Sequence, residues 1–170
     1  YDGENLWLSG YGLNNLIKIS PIDGSVLKTI PIDFMATGMT FLDGYLWSTN
    51  SENGMIKKID TTDGSVVSSI STATSYIRGL TWDGEAFWFN DFGSNTNASY
   101  PDTTFRIDTE GNILEKYASK DEVPTGLAWD GQYLWSSGNI ADAIYKIDIS
   151  SFSTLDTILA PGGTYPNGLA

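Results

Sequence analysis

Residues 126–135 read GLAWDGQYLW, and near-copies stand at 79–88 (GLTWDGEAFW) and 38–47 (GMTFLDGYLW). The last of these is one residue shorter between its Asp and its Trp. A fourth copy is divided, with GLA at 168–170 and YDGENLW at 1–7. Trp7, Trp47, Trp88 and Trp135 step by 40, 41 and 47 residues, and the step from Trp135 round to Trp7 is 42. Gly38, Gly79, Gly126 and Gly168 step by 41, 47 and 42, with 40 on return to Gly38. Two landmarks thus keep one register through the break between the termini, so the chain must fold as an array of like units. The long step comes from extra residues around DFGSNTNASYPD at 91–102.

Each unit divides into short strands. In the unit that starts at Gly126, GLAW forms strand A and an Asp-Gly turn leads into QYLWSS, strand B. AIYKID then forms strand C and TLDTIL strand D. Asp-Gly between apolar runs signals a hairpin, because the tight turn needs positive φ and Gly adopts it without strain. Strand B has consecutive apolar residues (Leu6-Trp7-Leu8, Phe87-Trp88-Phe89), so both sheet faces should be covered. No segment has a helical period. Four antiparallel strands in about 40–45 residues, repeated with aromatic and Asp-Gly marks, predict a β-propeller blade. The expected fold is all-β and single-domain, with blades at about 1–30 plus 168–170, 38–70, 79–117 and 126–159. The ring should close when Gly168-Leu169-Ala170 pairs beside Leu6-Trp7-Leu8, leaving no free inner edge. Two other arrangements keep the same spacing: two chains joined as an eight-bladed ring, or an excerpt of a longer array. The start at Tyr1 without a Met or signal-like segment predicts a processed product or an excerpt.

The motif GLAWDGQYLW…IYKID resembles the YVTN-type surface-protein repeats and the wider group of gluconolactonase-like and virginiamycin-lyase-like propellers, over four copies. The stretch STNSENGMIKKIDTTDGSVV at 48–67 is also similar to the plant-type glutaminyl cyclase propellers, with no catalytic set to place on it. The lyase-type propellers use a catalytic His, which this chain lacks. The gluconolactonase-like resemblance implies a divalent metal near the axis.

Composition narrows the chemistry. With no His and no Cys, a Ser-His-Asp set, thiolate ligation and disulfides are excluded. A net charge of −12 with nine basic residues argues against nucleic acid and anionic membrane surfaces as partners. No run approaches the roughly 18 apolar residues of a membrane helix, so no membrane insertion is expected. Ten of the twenty-one acids belong to turns or strand ends, so much of the charge is turn chemistry. Lys18, Lys58, Arg106 and Lys146 recur at one position per unit, which suits structural pairing or exposure better than a binding site.

Ligands of such propellers meet the loops at one mouth of the channel. Thr37, Arg78, Thr125 and Asn167 precede the strand-A glycines and should lie near the axis. Ser9, Asn50, Asn90, Asp91, Ser137 and Asn139 come from the ends of strand B. Oxygen ligands are what Ca²⁺ takes, and Asp91, Asn90 and Asn50 are the candidate metal set. A wet polar channel is the simpler expectation, with Arg78 pairing with Asp91 or gripping an anionic ligand. Asp91, Asn95, Asn97, Ser99 and Asp102 are spaced like EF-hand ligands, but Thr96 stands where Gly is needed. An ordinary surface loop is expected there, and Asn97-Ala98-Ser99 is a glycosylation triplet. Tyr11, Tyr76, Phe92, Tyr100 and Tyr165 are candidate contact aromatics.

These readings predict a non-catalytic propeller, extracellular or on a cell surface, that binds protein or carbohydrate through its loop face and has no resident cofactor. The alternatives are a metal-dependent lactonase-like enzyme using Asp91, and a homo-oligomer or fibre built by terminal strand exchange.

Overall fold

The computed structural model describes residues 1–10, 12–72, 74–93, 102–160 and 166–170. They form the expected all-β, four-bladed propeller, with no helix among the described residues. The first blade holds β1 (Leu6–Gly10), β2 (Leu13–Ile19) and β3 (Val26–Pro31). The second holds β4 (Ala36–Leu42), β5 (Tyr45–Asn50), β6 (Met55–Ile59) and β7 (Val66–Ser71). The third holds β8 (Ile77–Trp82), β9 (Phe87–Asp91), β10 (Thr103–Ile107) and β11 (Ile113–Ala118). The fourth holds β12 (Pro124–Trp129), β13 (Leu134–Gly138), β14 (Ala143–Asp148) and β15 (Ser153–Leu159). Each blade is an antiparallel meander of sequence neighbours, innermost strand first.

The Asp-Gly motif shapes the hairpin between the two inner strands. In the third blade Trp82 pairs with Phe87, leaving a loop at 83–86. There Asp83 Oδ1 accepts from the Glu85 and Ala86 amides at 2.8 Å each. Its Oδ2 accepts from Trp88 Nε1 at 2.7 Å and from Arg106 Nε at 2.9 Å. Asp2 repeats this with the Asn5 amide, Trp7 Nε1 at 2.8 Å and Lys18 Nζ at 3.0 Å. Asp130 repeats it with the Tyr133 amide and Trp135 Nε1 at 2.7 Å. One carboxylate therefore caps the turn and also ties it to the blade's tryptophan. The recurring cation is structural: Lys58 and Lys146 lie 4.0 Å from the ring centres of Tyr45 and Tyr133.

The second blade departs from this because its motif is one residue short. Leu42 pairs with Tyr45, so the loop is Asp43-Gly44 alone, with φ of 50° and 81°. Asp43 now occupies the turn itself, and Trp47 Nε1 is buried without a hydrogen-bond partner among the described residues.

Blades pack face to face through three apolar clusters. Trp7, Leu16 and Ile30 of the first blade meet Leu46 and Ile59 of the second. Trp47, Ile56 and Ile70 then meet Phe87, Phe89 and Ile107, and Trp88 meets Leu134, Ile147 and Phe152. At the axis the inner strands approach backbone to backbone. A Cβ on Gly38 would lie 2.4 Å from Gly79 C, and one on Gly79 would lie 2.8 Å from Thr125 O. Close approach thus requires glycine at 38 and 79, and at Gly79 a φ of 54° adds a conformational reason.

The closing segment behaves differently from the sequence expectation. Residues 166–170 reach the axis and follow the fourth blade: Thr125 Oγ1 donates to Pro166 O at 2.6 Å, and a Cβ on Gly126 would lie 3.0 Å from Leu169 N. Gly168-Leu169-Ala170 is nonetheless not a strand and forms no ladder with β1, so the first blade's sheet has three strands. The tripeptide instead lies close to β12, across a cavity from Leu6, Trp7 and Leu8.

Candidate functional site at the axial mouth

Each inner strand of the second, third and fourth blades slips register at its glycine, between Ala36 and Met39, Arg78 and Leu80, and Pro124 and Leu127. Such a slip leaves amides outside the regular ladder. Hydroxyls replace the lost partners. The Gly38 amide donates to Thr49 Oγ1 at 2.7 Å, and the Gly126 amide to Ser137 Oγ at 2.9 Å. Thr37 and Thr125 complete the pairs, with Thr37 Oγ1 3.0 Å from Thr49 Oγ1 and Thr125 Oγ1 3.0 Å from Ser137 Oγ. In the third blade the same two positions hold Arg78 and Asn90.

The residues just before the glycines therefore converge. Ser9, Thr37, Arg78, Thr125 and Asn167 line an axial cavity of about 450 Å³ with Ala36, Gly79 and Gly168. It shares walls with a more apolar cavity of about 350 Å³, which reaches Leu6, Leu80, Leu127 and Leu169. Arg78 is half-buried, its guanidinium carbon 4.6 Å from the centre of the Phe92 ring. Among the described residues it forms no ion pair, so the expected pairing with Asp91 is absent.

Asn50, Asn90, Asp91 and Asn139 do not line either cavity. Asn50 Oδ1 accepts from the Glu52 amide at 3.0 Å, and Asn90 Oδ1 from Thr104 Oγ1 at 2.8 Å. Asn139 Nδ2 donates to Asn167 Oδ1 at 3.3 Å. Asn90 Nδ2 and Asn139 Oδ1 are buried without a hydrogen-bond partner among the described residues. Burial pushes the Asp91 carboxyl above its usual range, and the Asp102 carboxylate adds to that. Burial likewise raises Asp102, which accepts from the Gly93 amide at 2.9 Å. No group of three acidic, His or Cys side chains suited to a metal ion occurs among the described residues. A divalent ion at the candidate set would have Asp91 as its one charged ligand, with amide oxygens already engaged within their own blades.

Of the loop residues singled out from the sequence, Asn95, Thr96, Asn97, Ser99, Tyr11, Tyr100 and Tyr165 lie outside the described residues. Tyr76 is exposed, and Phe92 is taken up by Arg78. The sequence reading overlooked Thr49, whose equivalence to Ser137 was the available signal. It also overlooked Asp121, which accepts from the amides of Val123, Ile140 and Ala141 and so fixes the loop after β13.

No protein family model and no curated protein matches the chain. Solved structures do. A glutaminyl cyclase from Myxococcus xanthus aligns with a TM-score of 0.65 at 15% identity, covering 80% of this chain and 64% of that one. Virginiamycin B lyase from Staphylococcus aureus aligns at 0.63 and 21% identity, covering 98% and 56%. A protein of unknown function from Bacteroides caccae aligns at 0.62 and 14%, covering 98% and 61%. The chain is similar to β-propellers. At such identities the likeness shows the fold alone, and the resemblance to YVTN and gluconolactonase-like repeats rests on the blade motif. The chain spans under two thirds of each of these proteins.

Proposed function

We propose that this propeller is a non-catalytic binding module of the cell surface or extracellular space. Its axial mouth receives an anionic group of a protein or carbohydrate partner. The observation that carries this reading is Arg78: a half-buried guanidinium, steadied on Phe92 and without a carboxylate partner among the described residues, facing a cavity walled by Ser9, Thr37, Thr125 and Asn167. In a molecule of net charge −12 this is a local cationic spot surrounded by hydrogen-bonding groups. Calorimetric titration with glutamate-rich peptides and uronic-acid oligosaccharides tests it. Binding by one of these classes is expected, weakened about tenfold in Arg78→Gln, as loss of one charge-assisted hydrogen bond implies. Absence of binding by both classes, or equal affinity in the variant, rejects the axial reading.

The metal-dependent, lactonase-like reading is favoured by one observation, the two raised carboxyls of Asp91 and Asp102, whose repulsion a divalent cation would offset. The same calorimeter decides it: Ca²⁺ binding that Asp91→Ala abolishes would replace the binding-module reading.

A further inference from the structure

The anchor between turn and tryptophan is complete in three blades and incomplete in the second. Asp2 Oδ2 accepts from Trp7 Nε1 at 2.8 Å and from Lys18 Nζ at 3.0 Å. Asp83 Oδ2 accepts from Trp88 Nε1 at 2.7 Å and from Arg106 Nε at 2.9 Å. Asp130 Oδ2 accepts from Trp135 Nε1 at 2.7 Å, and that bond, with the Lys146 charge adding to it, helps hold the carboxyl below its usual range. In each case one carboxylate serves an indole N–H and the recurring cation.

The second blade keeps both donors and lacks the acceptor. Thr40 pairs with Trp47 and Phe41 with Leu46, as Thr81 pairs with Trp88 and Trp82 with Phe87. Leu42 therefore stands where Asp83 stands in the third blade, and leucine accepts nothing. Trp47 is 7% exposed, with its Nε1 unpartnered, and Lys58 forms no ion pair among the described residues. Lys58 Nζ lies 5.5 Å from the Trp47 ring centre, against 5.4 Å for Lys18 over Trp7 and for Lys146 over Trp135. The two donors thus keep the spacing that accompanies a carboxylate in the other blades.

We propose that this position binds a carboxylate from outside the chain, held by Trp47 Nε1 and Lys58 Nζ. The ligand class follows from the sister blades, where the same pair of donors is matched by an aspartate. A buried donor without an acceptor is costly, and a bond from an ammonium to a carboxylate is among the stronger ones, so the ligand gains at two points. Leu42 is the side chain that yields to admit it. It is half-buried against the seam cluster, and it can change rotamer without moving backbone. The site belongs to the second blade alone. It uses neither Arg78 nor the axial cavity, and so stands apart from the function proposed above.

Nitrogen-15 NMR of the indole N–H groups tests it, with sodium acetate added at neutral pH and constant ionic strength. The Trp47 resonance, assigned through Trp47→Phe, should move downfield and saturate with a dissociation constant on the order of 1 mM, within the ceiling for so small a ligand. Trp7, Trp88 and Trp135 already donate to carboxylates and should stay still. Lys58→Met should weaken the response about tenfold, while Arg78→Gln leaves it unchanged. Two changes at Leu42 should act in opposite senses. Leu42→Ala clears the approach and tightens binding. Leu42→Asp supplies an internal carboxylate, so it moves the Trp47 resonance to its bound position and removes the acetate response. A capped aspartyl peptide separates the sources: tighter binding than acetate marks the side chain of a partner protein, and equal or weaker binding a free carboxylate. The proposal is overturned by a Trp47 resonance that stays still, by a response unchanged in Lys58→Met or surviving Leu42→Asp, or by one shared among all the indoles.

Discussion

Replacing Gly38 by Ala is expected to lower stability by about 3 kcal/mol, the upper end of what overpacking costs. Two things place it there. The added methyl would sit 2.4 Å from Gly79 C, 2.5 Å from Leu80 N and 2.6 Å from Gly79 Cα, all of them backbone atoms. No rotamer change can clear a backbone atom, so the second and third blades must separate at the axis. Their shared cluster of Trp47, Ile56, Phe87 and Ile107 would loosen as they do. For a chain of this size the loss corresponds to a fall in melting midpoint of roughly 8 °C. Thermal unfolding followed by circular dichroism measures it, and an unshifted midpoint would refute the close-contact account of the repeated glycine.

Asp83→Ala should have a similar effect by a different route. The Asp83 side chain is 2% exposed and receives four hydrogen bonds, from Glu85, Ala86, Trp88 and Arg106. Removing it strands the Trp88 indole N–H and leaves the Arg106 guanidinium with only Glu85 and Glu115. Breaking a buried pair in this manner costs about 3 kcal/mol. Asp43→Asn is the control: Asp43 accepts nothing from Trp47, and a surface change of this kind stays within about 0.5 kcal/mol.

The acid limb of stability supplies a second readout. Burial alone would push the Asp83 carboxyl up, but the hydrogen bonds from Trp88, Glu85, Ala86 and Arg106 outweigh it and hold the carboxyl below its usual range. Asp2 is lowered in the same way, by Asn5, Lys18 and Trp7 against burial. Between the lowered folded value and the unfolded one of about 3.9, the unfolded chain binds more protons, so stability falls as pH falls. The gap between wild type and Asp83→Ala should therefore be full at neutral pH and shrink below about pH 4. Urea midpoints at several pH values check this, and a gap that stays constant into acid would contradict it.

The blades were readable because the relevant signals are local. An Asp-Gly turn and an apolar pair four or five residues later specify a hairpin, whatever surrounds it. Thr37, Arg78, Thr125 and Asn167 could likewise be placed at the axis from the glycine that follows each of them, and they do line the axial cavity. Asn50, Asn90 and Asp91 were harder. Side chains in a strand alternate between faces, so an uncertainty of one position at a strand end decides between axis and seam. Thr49 was missed for a related reason, since its role depends on the register slip at Gly38 and no composition rule marks that. Closure was the least readable feature. Repeat spacing counts units, but the tilt between blades decides whether the last unit reaches the first, and that tilt is set by seam packing.

The short turn at Asp43 carries a further consequence. Trp7, Trp88 and Trp135 each donate to a carboxylate, whereas Trp47 lies at the second seam against Phe87, with ring centres 4.9 Å apart, and its N–H has no acceptor among the described residues. Its emission should therefore stand at the blue edge of the protein's fluorescence. The missing residue thus gives this propeller an intrinsic optical reporter of whether its second and third blades are in contact.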